Sequence, residues 1–225
     1  AMTYDAAGRM LTASSYNSSA LAMTYDEVDR VTQVVQTLPN GYTFTIGYSF
    51  DANGNRTGMT TPVGNFSYAY DSLDRVTSIT NPYGQIVTFT YDVLGRRTKM
   101  AYPHGTQANY AYDAAGQIGQ VLHQKTAGQT AIAFTNYVYD VSGNRTGLTD
   151  ARGSHAFTYD ALNRLATALH PGLSESFAYD AVGNRTADAV RTGYVYNSAN
   201  RLVSDSSYTY TSDANGNVTS RTNRV

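Results

Sequence analysis

The chain of 225 residues is only 15% charged and carries a formal net charge of -1, which gives no reason to expect electrostatic capture of nucleic acid or of an anionic membrane, both of which call for clustered basic residues. It contains no cysteine, so disulfides and thiolate metal sites are excluded, and no apolar run approaches the roughly 18 residues of a membrane-spanning helix. Twenty tyrosines, together with abundant glycine, threonine and asparagine, make a sheet-and-turn composition.

A repeat begins at the N-terminus. Met2, Tyr4, Asp5 and Gly8 form the first copy, and the same four columns return in order along the chain. The second copy is Met23, Tyr25, Asp26 and Asp29; the third is Tyr48, Phe50, Asp51 and Gly54; the fourth is Tyr68, Tyr70, Asp71 and Asp74. Phe89, Tyr91, Asp92 and Gly95 follow, then Tyr110, Tyr112, Asp113 and Gly116, then Tyr137, Tyr139, Asp140 and Gly143. Phe157, Tyr159, Asp160 and Asn163 make the eighth copy, and Phe177, Tyr179, Asp180 and Gly183 the ninth. The last two, Tyr194, Tyr196, Asn197 and Asn200 and then Tyr210, Ser212, Asp213 and Gly216, are shorter and degenerate. A period near 20 residues calls for a repeat architecture before any other fold.

Each column has a physical reason. Two large side chains two residues apart lie on one face of a strand. The residue three after the anchor is always Gly, Asn or Asp, the types that tolerate positive φ, which predicts a three-residue hairpin loop with a G1 bulge. The anchor carboxylate then accepts backbone N-H groups in an Asx-turn. That loop places the residue before the anchor opposite the residue five after it, so Tyr70 faces Val76 and Tyr159 faces Leu165, whereas Tyr139 faces Arg145 and Tyr179 faces Arg185. Arginine also occurs four after the anchor, as in Arg75, within ion-pairing reach of Asp71. Threonine six after the anchor, as in Thr57 and Thr77, keeps one register through both arrangements.

Pro and Gly punctuate the return turns at Leu38–Gly41, Thr61–Gly64, Asn81–Gly84, Tyr102–Gly105 and His170–Gly172. The two longest repeats place long loops around 35–42 and 125–133. Eleven units of strand, tight turn, strand and looser turn predict an all-β fold: tandem β-hairpins in one continuous antiparallel sheet. An open sheet of some twenty strands exceeds what stays flat, so it is expected to roll into a spiral or barrel-like shell. No composition shift interrupts residues 1–225, which read as a single repeat region of a longer protein.

The run Tyr-Asp-x-x-Gly/Asn/Asp-Arg, as in Tyr4–Arg9, Tyr91–Arg96 and Tyr179–Arg185, resembles the YD repeats of the RHS family, whose relatives include toxin-complex BC components, bacterial polymorphic toxins and teneurins. The resemblance covers essentially the whole chain. It implies a hairpin strip wound into a hollow shell that encloses a toxin effector or serves as an extracellular scaffold, in a secreted or cell-surface protein. The Asp-Pro-x-Gly segment that ends an RHS core is absent from this sequence.

The chemistry expected is structural. His104, His123, His155 and His170 stand at no ligand spacing, the Asp51–Asn55 and Asp213–Asn217 runs lack the twelfth-position Glu of a calcium loop, and no nucleophile elbow or phosphate loop is present. No enzyme, metal or cofactor is expected; the partner is the rest of the parent chain. A second reading has the aromatic columns stack on carbohydrate in an adhesion module, against which the absence of Trp counts. Self-association through terminal strand edges is a third expectation.

Overall fold

The computed structural model describes residues 1–224. It is built of strands joined by tight turns, with one 3₁₀ turn at Ala127–Gln129 and no α-helix among the described residues. Strands β1–β17 belong to one 17-stranded antiparallel sheet, and the chain divides into two compact units, Ala1–Asn109 with His123–Thr130 and Tyr110–Leu122 with Ala131–Val225.

In the first unit run β1 (Met2–Tyr4), β2 (Met10–Ser14), β3 (Ala20–Tyr25), β4 (Val31–Thr37), β5 (Thr43–Phe50), β6 (Arg56–Thr61), β7 (Gly64–Tyr70), β8 (Val76–Thr80), β9 (Ile86–Tyr91) and β10 (Arg97–Tyr102). Each pairs with the next, and β10 pairs with the start of β11 (Thr106–Tyr112). β11 and β12 (Ile118–Lys125) pass from one unit into the other.

The second unit continues with β13 (Ala131–Tyr139), β14 (Arg145–Asp150), β15 (Gly153–Tyr159), β16 (Leu165–His170) and β17 (Leu173–Ser176), again paired in sequence. β18 (Ala178–Tyr179) and β19 (Arg185–Ala187) make a two-stranded sheet; β20 (Val195–Tyr196), β21 (Leu202–Ser204), β22 (Tyr208–Ser212) and β23 (Val218–Asn223) make a four-stranded one. The break before β18 is local, since the Phe177 N-H still donates to the Ala166 carbonyl at 2.8 Å.

The all-β hairpin-repeat reading holds, and the turns show why. All eleven residues three after an anchor have positive φ, from 57° at Asn200 to 97° at Gly183. The strand registers oppose the predicted partners, Tyr70 with Val76 and Tyr139 with Arg145 among them, and these hairpins shift register just before the anchor, as a G1 bulge requires.

The two long loops are a correction. Leu38–Gly41 is a tight turn, with the Gly41 N-H bonded to the Leu38 carbonyl at 2.9 Å, and the extra residues lengthen β4 and β5 to seven and eight residues. Around 125–133 the extra length goes into β12, of eight residues, and β13, of nine, flanking the 3₁₀ turn. Lengthening a ladder adds cross-strand pairs, whereas a long loop leaves its backbone to water.

Almost none of this sheet is buried. Among the described residues Ala108 and Ala168 are the only buried hydrophobic ones. What holds one hairpin to the next therefore lies in bonds between their side chains and backbones.

Candidate functional site

The most organised polar chemistry of the chain runs along the turns. In the hairpin centred on Asp71, Oδ1 accepts the N-H groups of Leu73 and Arg75 at 3.0 and 3.1 Å, while Oδ2 accepts Nε of Arg75 at 2.7 Å. The Arg75 side-chain hydrogen bond leads the effects that hold the Asp71 carboxyl below its ordinary range, against an opposing desolvation. The same ion pair joins Arg9 to Asp5, Arg30 to Asp26, Arg96 to Asp92 and Arg164 to Asp160. Asn replaces the arginine at Asn55, Asn144 and Asn184 and donates to Oδ2 of Asp51, Asp140 and Asp180. In the Asp113 turn Gln117 takes this place, its N-H bonded to Asp113 Oδ1 at 2.8 Å.

The arginine also reaches the following hairpin. Arg75 Nη1 donates to the Asp92 carbonyl at 3.3 Å and its guanidinium lies 4.7 Å from the centre of the Tyr91 ring. Arg30 does the same to Asp51 and Phe50, and Arg164 to Asp180 and Tyr179. Asn is too short for that span. Instead Asn55 Nδ2 donates to Asp74 Oδ1 at 2.6 Å, Asn144 to Asn163 at 2.8 Å and Asn184 to Asn200 at 3.1 Å. In these units the residue in the positive-φ column is matched to the residue that reaches it, and Arg9 is the exception, since it pairs with the Asp29 carboxylate. Glycine leaves room for the guanidinium, with Arg30 Nη1 only 3.7 Å from where a Cβ of Gly54 would stand; Asp or Asn supplies the oxygen that asparagine needs.

The tyrosine completes the seam from the other side. The hydroxyl of Tyr70 donates to the Arg56 carbonyl of the preceding hairpin at 2.9 Å, and Tyr91 to Val76 at 2.7 Å. Tyr25, Tyr139, Tyr159 and Tyr196 make the equivalent bonds to Met10, Ile118, Arg145 and Arg185. Tyr4 bonds within its own strand, to Met2 Sδ at 3.3 Å.

Arginine five after the anchor behaves differently from the expectation. Arg145 and Arg185 stand opposite Tyr139 and Tyr179 in register, but their guanidinium groups lie over the earlier aromatic column: Arg145 over Tyr137 and Phe157 at 5.8 and 5.2 Å, Arg185 over Phe177 at 5.0 Å. Side chains directly opposed across a bulge diverge, and the diagonal ring is the one in reach.

The RHS Repeat family model matches residues 25–65, 70–107 and 139–172, half of the chain. The chain belongs to the RHS repeat family. It is 36% identical over 204 residues to the tRNA3(Ser)-specific nuclease WapA of Bacillus spizizenii, covering 89% of this chain and 8% of that protein. It is 36% identical over 89 residues to the double-stranded DNA deaminase toxin A of Burkholderia cenocepacia, covering 38% of this chain and 6% of that one. Among solved structures, the crystal structure of TcdB2-TccC3-Cdc42 matches with a TM-score of 0.74 at 13% identity, over 96% of this chain and 15% of the other. TcdB2-TccC3 without its hypervariable C-terminal region matches with a TM-score of 0.64. The RHS chain therefore shares its fold with these assemblies and spans under a tenth of the curated relatives it matches.

Sequence reasoning missed two features. Asp188 and Asp205 stand eight after their anchors, a column that is otherwise apolar except for Arg221, and each takes a hydroxyl from the tyrosine three before the next anchor: Tyr194 to Asp188 at 2.6 Å and Tyr210 to Asp205 at 2.7 Å. The Tyr194 bond leads the effects lowering the Asp188 carboxyl to about 2. Burial pushes Asp205, with no exposed surface, upward, but the bonds from Tyr210, Ser207 and Tyr208 outweigh it and leave its carboxyl below the ordinary range. The spacing of 17 between these aspartates was the available signal. The second feature is a histidine pair: His155 and His170, read as scattered, meet with their Nδ1 atoms 2.6 Å apart.

Proposed function

We propose that this chain is a non-catalytic wall segment of a secreted or surface RHS-type protein, working as one repeat region over 1–225 to enclose or present a toxin, effector or adhesive module carried on the same parent chain. The observation that carries the reading is the seam. The signature side chains, Tyr, Asp and Arg or Asn, direct their polar atoms at their own turn and the neighbouring hairpin, which is the work of cohesion. The names of the relatives point the same way: a deaminase toxin and a tRNA nuclease perform different reactions, yet both contain a stretch 36% identical to this chain. One stretch common to two chemistries fits a carrier better than either catalyst.

The aromatic columns weigh against sugar binding as the main role, because Tyr48, Tyr68, Phe89, Tyr137, Phe157 and Phe177 already carry a guanidinium over the ring. The test uses the full-length parent protein. Limited proteolysis is compared between the native protein and a variant with Gly95→Val and Gly143→Val. Enclosure predicts that the module outside the repeat region resists digestion in the native protein and is cut in the variant. Equal digestion in both refutes enclosure, and nucleic-acid turnover by the purified 225-residue chain refutes the non-catalytic assignment.

A further inference from the structure

We propose that His155 and His170 form a two-imidazole site for a divalent d-block ion, Zn2+, Ni2+ or Cu2+. His155 lies on β15 and His170 at the end of β16, one step beyond the opposed pair Ala156 and Leu169, so the ladder sets them face to face. His155 is 8% exposed. The rings meet edge to face with centroids 4.9 Å apart, and Phe157 packs edge-on against His170 at 5.7 Å.

The nitrogens are arranged as a ligand pair needs them. Nε2 of His155 lies 3.4 Å from Oδ1 of Asp150, and Nε2 of His170 lies 3.4 Å from Oε2 of Glu175. Asp150 is held in place by Arg152, whose Nε and Nη2 donate to its Oδ2 at 3.0 and 2.7 Å. A neutral imidazole has one N-H. When each ring turns that hydrogen toward its carboxylate, both Nδ1 lone pairs face each other across 2.6 Å, where they repel. An electrophile between them removes the conflict. A carboxylate behind each ligating histidine is the arrangement that fixes tautomer and ring orientation at metal centres.

Imidazole selects zinc, nickel and copper over calcium and magnesium. A metal-nitrogen distance of about 2.0–2.1 Å requires the two nitrogens to stand roughly 3 Å apart, so the rings need part only slightly. His170 can give that movement, because it immediately precedes the turn at Pro171 and Gly172. The remaining coordination positions open on a cavity of about 500 Å³, lined also by Arg145 and Leu173, where water or an anionic co-ligand completes the shell.

The experiment is isothermal titration of the untagged 225-residue chain with ZnCl2, NiCl2 or CuSO4, alongside Cu2+ electron paramagnetic resonance. One equivalent binds, copper shows coupling to two imidazole nitrogens, and affinity falls at least tenfold in His155→Gln and in His170→Gln. Asp150→Asn weakens binding by about 10-fold or more while leaving two nitrogens on copper. His123→Ala changes nothing. Circular dichroism confirms that each variant is folded, and the spectrum of the native chain decides the matter independently of any variant. The proposal is overturned by no binding below about 1 mM ion, which leaves a shared proton between the rings, or by binding that survives in the double His155→Gln/His170→Gln variant.

Discussion

The matched turn residues make a quantitative prediction at Asn55 and Asp74. Asp74 Oδ1 accepts Nδ2 of Asn55 at 2.6 Å and of Asn53 at 3.0 Å, and Asn55 Nδ2 also reaches Asp51 at 3.1 Å. Asp74→Gly removes two bonds worth about 0.5–1 kcal/mol each at this exposed site and recovers about 0.5–1 kcal/mol by freeing a φ of 59°. The net cost is about 0.5–1 kcal/mol. Asn55→Ala removes two bonds and costs about 1–2 kcal/mol. Because one bond is common to both, the double variant loses less than the sum by about 0.5–1 kcal/mol. Urea unfolding at constant slope measures all four corners of the cycle. Asn55→Arg then rescues Asp74→Gly, since it recreates the Arg30 and Gly54 arrangement in which the guanidinium spans to the next carbonyl. Additivity within about 0.3 kcal/mol and no rescue refute the matching rule.

Three further outcomes follow from the same geometry. Gly95→Val places a β-branched residue at φ 81° and destabilises by about 1–3 kcal/mol in the same urea assay; a neutral result sinks the bulge assignment. Tyr70→Phe removes the hydroxyl that donates to the Arg56 carbonyl and costs about 1 kcal/mol, with faster amide exchange expected at the junction of β6 and β7; unchanged exchange there denies the hydroxyl a role in the seam. Asp188 has its carboxyl lowered from 3.8 to about 2, so its contribution to stability is complete above about pH 4 and is lost as pH falls through 2. Asp188→Asn flattens the acid limb in that window, and a limb as steep as in the native chain contradicts the assignment.

The hairpins were legible because a turn is local. A positive φ at the third residue after the anchor selects Gly, Asn or Asp whatever surrounds it, and the loop length then dictates that Tyr159 faces Leu165. The seam was illegible because its partners belong to different hairpins. The sequence placed Arg75 on Asp71, which is right, but nothing within one repeat says that the same side chain reaches Asp92 and Tyr91. A signal existed across repeats, since Asn55, Asn144 and Asn184 are each followed in the next unit by Asp74, Asn163 and Asn200. The histidine pair was derivable too: continuing the register past Ala156 and Leu169 opposes His155 to His170. Spacing along the chain, at helix or loop periods, does not report what a strand ladder brings together.

The near absence of buried apolar side chains gives the strip a grammar for gain and loss of units. A protein with a core loses its shape when an element is cut out, whereas a chain bound only neighbour to neighbour needs one acceptable joint. Excising residues 51–70 would bring Arg30 against Asp74, a junction already in use between Arg9 and Asp29. Excising residues 71–91 would set Asn55 against Gly95, a combination that occurs nowhere in this sequence. Recombination within such a gene can therefore lengthen or shorten the strip in whole hairpins, with the residue four past each anchor deciding which splices hold.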